Sequence, residues 1–183
     1  VLSSMQEEGA EPIRVPELDD PLSQELRQKF GGCDIALTLG GDGTLIYGAH
    51  LVAPLGIPLL PVNLGSLGFH TQTEPAEMIG CLEAIRRGDF RTEPRQLLQA
   101  QLERPEPEAD SERPGKAIAL NDIVVSRSAW GRMVHLRLHV NGQPATDLHA
   151  DGLVVSTPTG SSAYNYAARG PIVEPSVEAF VVN

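Results

Sequence analysis

The chain has 183 residues, a formal net charge of −10 and 41% hydrophobic residues, which is typical of a soluble globular protein. The acidic balance argues against a nucleic-acid partner, since nucleic acids are bound mainly through Lys and Arg contacts to phosphates. No run of eighteen or more apolar residues occurs, so neither a membrane span nor a membrane partner is expected.

The cysteines and the chain ends bear on location and completeness. Cys33 and Cys81 are far apart among apolar residues, which predicts reduced, partly buried thiols in a cytoplasmic protein. The first residues lack the basic and long apolar regions of a signal peptide. The chain begins with Val1 rather than Met and ends in a strand-like run. We therefore expect both ends to be cut and both domains to be truncated.

Residues 1–92 predict an α/β domain. Residues 1–20 have the composition of a loop, and a short helix is predicted from Pro21 to Phe30. The apolar runs 34–39 and 57–62 predict strands, the first one buried on both faces. Helices are predicted over 44–53 and from Pro75 to Gly88, the second with an apolar face of Met78, Ile79, Leu82 and Ile85. Strands that alternate with helices through short connections predict a parallel sheet.

Residues 93–183 predict a mostly antiparallel β domain. Alternating polar and apolar residues indicate a strand at 98–102 and a clearer one at 133–140, and Asn141-Gly142 is a strong hairpin signal. Residues 104–116 form a proline- and charge-rich loop, and 121–126 is another apolar strand. A further strand begins near residue 151 and leads into a short helix at Gly160.

The turn Gly40-Gly41-Asp42-Gly43-Thr44 separates the first predicted strand from its helix. Glycines permit close backbone approach, so N–H groups at the start of a helix can bind a phosphate in a chain where lysine is scarce. The turn is neither a Walker A loop nor a G-x-G-x-x-G fingerprint. A carboxylate beside a phosphate is unfavourable unless it binds a cation or accepts a proton. Asp42 is therefore a candidate base or metal-associated residue; the alternative is a side chain that caps the helix.

Two further segments have the composition of ligand-binding loops. Asn63-Leu64-Gly65-Ser66-Leu67-Gly68-Phe69 follows the second strand, at the edge where an open α/β sheet binds ligands. Residues 151–164 lead from a strand into a patch of hydroxyls and small side chains, which suits a ligand packed against backbone. Asn121-Asp122 is either a plain turn or a pair of polar ligand contacts. A serine hydrolase with Ser161, His149 and Asp151 is disfavoured because the G-x-S-x-G elbow is absent.

Taken together and in this order, the motifs resemble the NAD kinase family, from about residue 34 to residue 175. The turn at 40–44 alone is shared with lipid kinases of the same superfamily, such as diacylglycerol and sphingosine kinases. The long segment at 151–164 is what points to NAD kinases, and Gly170-Pro171-Ile172-Val173 continues the pattern.

The resemblance implies transfer of the terminal phosphoryl group of ATP, or in some members of polyphosphate, to the 2′-hydroxyl of the adenosine ribose of NAD. Asp42 would accept the hydroxyl proton, and Mg²⁺ or another divalent cation would arrive with ATP, with no metal ligand predicted in the protein. Asp151 matches a residue that reaches the nucleotide of a neighbouring subunit, which implies a homodimer or homotetramer. The other implied contacts are Gly41, Gly43 and Thr44 for phosphate, and Phe69, Asn121, Asp122, Ser162, Ala163 and Tyr164 for NAD.

Four positions depart from the family pattern. Asp122 stands where Glu is usual, His70 where an apolar or aromatic residue is usual, Arg169 in place of a common glycine, and Ser162 in place of Thr. The alternatives that remain are a lipid kinase of the same superfamily and a nucleotide-binding module or fragment without catalysis.

Overall fold

The computed structural model describes residue 25 and residues 28–65, 68–102, 116–128 and 131–183. The chain divides into two compact units, Val1–Pro94 and Arg95–Asn183. The expectations for residues 1–20, for most of the helix predicted at Pro21–Phe30 and for nearly all of the 104–116 loop lie outside the described residues. Residues 28–30, at the end of that predicted helix, are helical.

The first unit is built on a parallel strand pair. Strand β1 (Ala36–Leu39) pairs with β2 (Leu59–Val62), with Ala36 opposite Leu59. Helix α1 (Asp42–Val52) connects them and packs against both. The parallel arrangement confirms the predicted α/β class, although α1 begins two residues earlier than predicted.

Helix α1 covers one face of β1. Leu45, Ala49 and Val52 of the helix are buried, and a Cβ on Gly48 would overlap the Thr38 methyl group, so the helix and strand backbones approach closely. Leu37 and Leu39 point to the other face and are 39% and 50% exposed. The prediction that β1 is buried on both faces is therefore wrong for the described part of the chain.

Helix α2 (Met78–Arg87) begins three residues after Pro75, which lies in the turn before it. The helix ends at Gly88, whose φ of 79° is a left-handed conformation that glycine adopts without steric cost. Met78, Leu82 and Ile85 are half-buried as expected, whereas Ile79 is 59% exposed. Ile79 follows Met78 by one residue, so it lies about 100° further around the helix and leaves the covered face.

The second unit contains antiparallel sheets, which confirms the predicted class. Its core includes Leu98, Ala119, Leu120 and Val154. The two-stranded sheets are β3 (Leu98–Gln101) with β4 (Lys116–Ala119), and β6 (Val134–Val140) with β7 (Gln143–Ala150). The three-stranded sheet has the order β5 (Asp122–Ser126), β8 (Gly152–Ser156), β9 (Val181–Val182).

The β6–β7 hairpin turns at Asn141 and Gly142, with φ values of 52° and 77°. Positive φ at both central residues is the type I′ geometry that the Asn-Gly pair predicts. After β8 the chain forms a 3-10 turn at Thr159–Ser162 and a short helix α3 (Tyr164–Ala167), close to where a helix was expected. Among the described helices, none is long and apolar enough to cross a membrane.

Candidate functional site

The glycine-rich turn connects β1 to α1 and lies beside the carboxyl end of β2. The Gly40 N–H donates to the Val62 carbonyl at 2.9 Å, which ties the turn to that strand end. A Cβ on Gly40 would overlap the Thr44 side chain, whereas a Cβ on Gly41 or Gly43 would meet nothing within 4 Å. Internal packing therefore requires glycine only at residue 40. The other two glycines leave open backbone beside the helix N-terminus, which is suited to an anion.

The Asp42 side chain binds the loop that follows β2. Its Oδ2 accepts a hydrogen bond from the Phe69 N–H at 2.9 Å. Its Oδ1 accepts from the N–H groups of His70 at 3.1 Å and Thr71 at 3.2 Å, and from the Thr71 hydroxyl at 3.1 Å. We call Asp42 with residues 69–71 the Asp42 cluster. The carboxylate is thus turned away from its own helix, which excludes the helix-capping alternative in this structure.

The Asp42 cluster favours the ionised carboxylate. Burial raises the pKa of Asp42, but the backbone N–H groups of Phe69 and His70, the Thr71 hydroxyl and the positive charge of His70 together outweigh burial. The pKa of Asp42 consequently lies below its ordinary value, and the side chain is a carboxylate at neutral pH.

The loop that carries the cluster is fixed at both ends. The Asn63 N–H donates to the Thr73 carbonyl at 2.8 Å, and the Asn63 side chain donates to the Thr71 carbonyl at 3.2 Å. Phe69 is nevertheless 72% exposed. An aromatic ring whose backbone N–H is bonded to Asp42, but which is itself open to solvent, is available for stacking on a flat ligand group.

In the second unit, the peptide of Asn121 organises the hydroxyl-rich segment. The Asn121 carbonyl accepts hydrogen bonds from the Thr157 N–H at 2.8 Å and the Ser156 hydroxyl at 3.3 Å. A Cβ on Gly160 would overlap this carbonyl, so only glycine permits the contact. Asn121 and the predicted strand-to-helix segment are therefore neighbours.

Two buried oxygens near this contact have no partner in the described part of the chain, Asn121 Oδ1 and Thr159 Oγ1. Buried polar atoms are nearly always hydrogen-bonded, so such atoms are candidates for ligand contact. Burial raises the pKa of Asp122, the residue after Asn121. A partly desolvated carboxyl of this kind suits a role as hydrogen-bond partner to a neutral hydroxyl or amide.

Ser161 has a structural role. Its hydroxyl is fully buried, donates to the Pro158 carbonyl at 2.6 Å and accepts from the Val173 N–H at 2.8 Å. His149 stacks on His135 with ring centroids 4.5 Å apart, in the β6–β7 hairpin. The hydrolase alternative is therefore wrong. Ser162 and Ala163 are half-buried and Tyr164 is 56% exposed, in the turn that follows Ser161.

Asp151 is separated along the sheet from Asp122, another of the predicted NAD contacts. Asp122 pairs with Ser156 at one end of the β5–β8 pair, whereas Asp151 immediately precedes Gly152 at the other end. Five residues of strand separate the two positions, which places their backbones about 17 Å apart along the sheet. Asp151 instead forms an ion pair with Arg127 at 2.6 Å and stays largely exposed.

The described residues contain no group of three or more His, Cys, Asp or Glu side chains arranged to hold a metal ion. The Asp42 carboxylate, the acidic group nearest the glycine-rich turn, is already bonded by four donors. A carboxylate bonded in this way by N–H and O–H donors does not fit a metal site built by the protein. Cys33 is exposed rather than partly buried as expected, Cys81 is half-buried, and both thiols are free.

Three residues of the candidate site were not singled out from the sequence: Thr71, Thr159 and Arg127. Thr71 lies 29 residues from Asp42, so no local spacing indicates their contact. Thr159 lies within the hydroxyl-rich segment, where Ser156, Thr157 and Ser161 are buried as well. Its hydroxyl differs from theirs in having no partner in the described part of the chain. Arg127 lies 24 residues from Asp151, and only the strand register brings the two together.

Two family models match the chain. The ATP-NAD kinase N-terminal domain matches residues 3–90, and the ATP-NAD kinase C-terminal domain matches residues 120–183. Together they include every site residue discussed above.

The curated proteins similar to this chain include NAD kinases. An NAD kinase of Heliobacterium modesticaldum is 44% identical over 174 residues, covering 95% of this chain and 60% of the relative. An NAD kinase of Geobacter sulfurreducens is 44% identical over 149 residues, covering 81% of this chain and 51% of the relative. The chain thus spans about half to three-fifths of the length of these curated relatives.

Two solved structures are similar in fold. A yeast NADH kinase in complex with NADH superposes with a TM-score of 0.71 at 28% identity, covering 82% of this chain and 43% of that one. An NAD kinase from Archaeoglobus fulgidus in complex with ATP gives a TM-score of 0.61 at 29% identity, covering 81% of this chain and 55% of that one.

Proposed function

We propose that this chain, which belongs to the NAD kinase family, transfers the terminal phosphoryl group of ATP to the adenosine-ribose 2′-hydroxyl of NAD. The observation that carries the proposal is the ionised Asp42 carboxylate at the N-terminus of α1, between open glycine backbone and an exposed aromatic ring. Phosphoryl transfer needs positioning and charge stabilisation more than covalent chemistry from the protein, and these groups supply both.

In the proposed reaction Asp42 Oδ2 takes the proton of the ribose 2′-hydroxyl. The hydroxyl oxygen uses a lone pair to form a bond to the γ-phosphorus, and the bond from that phosphorus to the β,γ-bridging oxygen breaks. ADP leaves with the electron pair of the broken bond. The backbone around Gly41, Gly43 and Thr44 would contact the phosphates, as expected for a helix N-terminus. A positioned carboxylate base contributes roughly 10²–10⁴-fold to such a step.

The remaining proposed contacts are with NAD. Phe69 would pack on the adenosine, which its exposure supports. Asn121 and Asp122 would bind ribose and base, supported by the partnerless Asn121 Oδ1 and the partly desolvated Asp122 carboxyl. Ser162, Ala163 and Tyr164 would complete the dinucleotide contacts. Thr159 joins this set as a buried hydroxyl without a partner in the described part of the chain.

A homo-oligomer, dimer or tetramer, is part of the proposal. Within one chain Asp151 is held by Arg127 at the end of the β5–β8 pair away from Asp122. This separation supports a role for Asp151 toward the nucleotide of a second subunit. Mg²⁺ or another divalent cation would enter as the ATP complex, since the residues described above form no metal site. A cytoplasmic location is proposed from the two free thiols.

The test is a coupled assay for NADP with the purified chain, NAD, Mg²⁺ and ATP. Parallel reactions replace ATP by polyphosphate, NAD by NADH, and NAD by diacylglycerol or sphingosine. The proposal expects NADP formation and no lipid phosphate. Phosphorylation of a lipid without NADP would establish the lipid-kinase alternative. NAD binding by calorimetry without turnover under any donor would establish a non-catalytic binding module.

A further inference from the structure

We propose that Thr71 is a positioning residue for Asp42, fixing Oδ1 so that Oδ2 alone faces the acceptor hydroxyl. This inference rests on the proposed function for its catalytic part, but the arrangement itself lies wholly within the first unit. It assigns different roles to the two oxygens of one carboxylate, and a role to a residue that the sequence did not single out.

The hydrogen bonds of the carboxylate are unevenly divided. Oδ1 accepts from three donors, the N–H groups of His70 and Thr71 and the Thr71 hydroxyl, at 3.1, 3.2 and 3.1 Å. Oδ2 accepts from one, the Phe69 N–H at 2.9 Å. A carboxylate oxygen has about two lone-pair sites. Oδ1 is therefore saturated, whereas Oδ2 has one site for an incoming hydroxyl.

Packing holds Oδ1 on the inner side of the cluster. Thr71 is 1% exposed, so its hydroxyl cannot exchange Asp42 for solvent. A Cβ on Gly68 would overlap Asp42 Oδ1 and lie 2.5 Å from Thr71 Oγ1. The carboxylate and the threonine thus occupy the space that any side chain at residue 68 would need. Rotation of the carboxylate would leave buried donors unpaired, which is unfavourable.

The consequence for the reaction is one of orientation. Proton transfer requires the acceptor oxygen within hydrogen-bond reach and in line with the O–H bond, and small displacements cost large factors in rate. With Oδ1 fixed by three bonds, Oδ2 has one orientation. Without the Thr71 hydroxyl, two N–H bonds remain on Oδ1 and the carboxylate gains rotational freedom.

The experiment compares Thr71→Val, Thr71→Ser and Thr73→Val in the full chain. Valine preserves the shape of threonine without the donor, and serine preserves the donor. Thr73 is the matched control, because it lies in a backbone bridge to Val62 and is not among the Asp42 donors. The first readout is a ¹³C NMR titration of side-chain carboxyls, with the Asp42 signal assigned by its absence from Asp42→Asn. The second is kcat and KM for NAD as functions of pH.

Thr71→Val is expected to move the Asp42 titration midpoint to higher pH and to lower kcat roughly tenfold with little change in KM. Thr71→Ser and Thr73→Val are expected to match the wild type in both. An unmoved midpoint in Thr71→Val would overturn the positioning role whether or not the chain makes NADP, since the titration uses no substrate. A moved midpoint with unchanged kcat would overturn its catalytic part.

If Thr71→Val moves the Asp42 midpoint but the wild-type chain makes no NADP, the positioning role is supported and the proposed function is overturned. Gly68→Ala provides an independent perturbation, should Thr71→Val unfold. It removes no hydrogen-bonding group, yet its methyl must displace Asp42 Oδ1 or Thr71 Oγ1. The same upward movement of the Asp42 midpoint is expected, and a wild-type midpoint in a folded Gly68→Ala chain would contradict the inference.

Discussion

Asp42→Asn separates the two roles assigned to Asp42, which are those of proton acceptor in the reaction and of hydrogen-bond acceptor for residues 69–71. Asparagine has nearly the same shape but cannot accept the hydroxyl proton, so kcat is expected to fall at least about 10²-fold. The structure adds a second effect. One carboxylate oxygen becomes an NH₂ group, which must face either the Phe69 N–H or the three donors on Oδ1. At least one donor in the Asp42 cluster is then unpaired.

The expected loss of folding stability follows from these bonds. Hydrogen bonds to a charged group contribute about 1.5–3 kcal/mol each, and an unpaired buried donor costs about 1–3 kcal/mol. Since Asp42 is only partly buried and asparagine retains some bonds, we expect a loss of about 2 kcal/mol in the free energy of unfolding at pH 7. The lowered pKa of Asp42 fixes the direction in which this contribution to the free energy of unfolding changes with pH. Its contribution is complete above the unfolded-state pKa and is lost as the pH falls through the folded-state pKa.

Urea unfolding of the wild type and of Asp42→Asn, at steps from pH 7 to pH 3, measures both quantities. Asp34→Asn is the control, because it removes the same charge from an exposed residue just before β1. The difference between wild type and Asp42→Asn should narrow below about pH 4. Equal stabilities at pH 7, or a difference that grows toward acid, would refute the account of the Asp42 cluster.

Three other substitutions test separate parts of the structure. Phe69→Ala should raise KM for NAD about tenfold with little change in Tm, since the ring is exposed and stacking contributes about 1–3 kcal/mol; an unchanged KM would remove its role. Gly160→Ala should lower the free energy of unfolding in urea by about 1–3 kcal/mol, because its methyl overlaps the Asn121 carbonyl. Arg169 has a φ of 68°, so Arg169→Gly should raise that free energy by about 1 kcal/mol. Ala168→Gly, at a residue with a φ of −84°, should lower the free energy of unfolding. A higher free energy of unfolding in both variants would contradict the backbone explanation.

Features set by neighbouring residues could be predicted from the sequence. Asn141-Gly142 predicted the turn because both residues tolerate positive φ, and Gly88 predicted the end of α2 for the same reason. Alternation predicted β6, and the glycines at 40–43 predicted the turn into α1. In each case the determining interaction lies within a few residues of the signal.

Features set by long-range packing could not be predicted in the same way. The exposure of Leu37 and Leu39 depends on which face of β1 the helix covers, and an apolar run does not contain that information. The direction of the Asp42 side chain depends on donors 27 to 29 residues away. The family resemblance implied that Asp42 and Phe69 both act on NAD, but it did not imply the hydrogen bond from the Phe69 N–H to Asp42 Oδ2.

A carboxylate with a lowered pKa is a weak base, which at first conflicts with the role proposed for Asp42. The transition state of phosphoryl transfer is loose, so the bond from the attacking oxygen to phosphorus is little formed and the hydroxyl proton becomes acidic late. An ionised acceptor held in one orientation then matters more than its basicity. Thr71→Val tests this balance directly, because it should make Asp42 more basic and less well oriented. A fall in kcat on the pH plateau means that orientation dominates, whereas a rise means that basicity does.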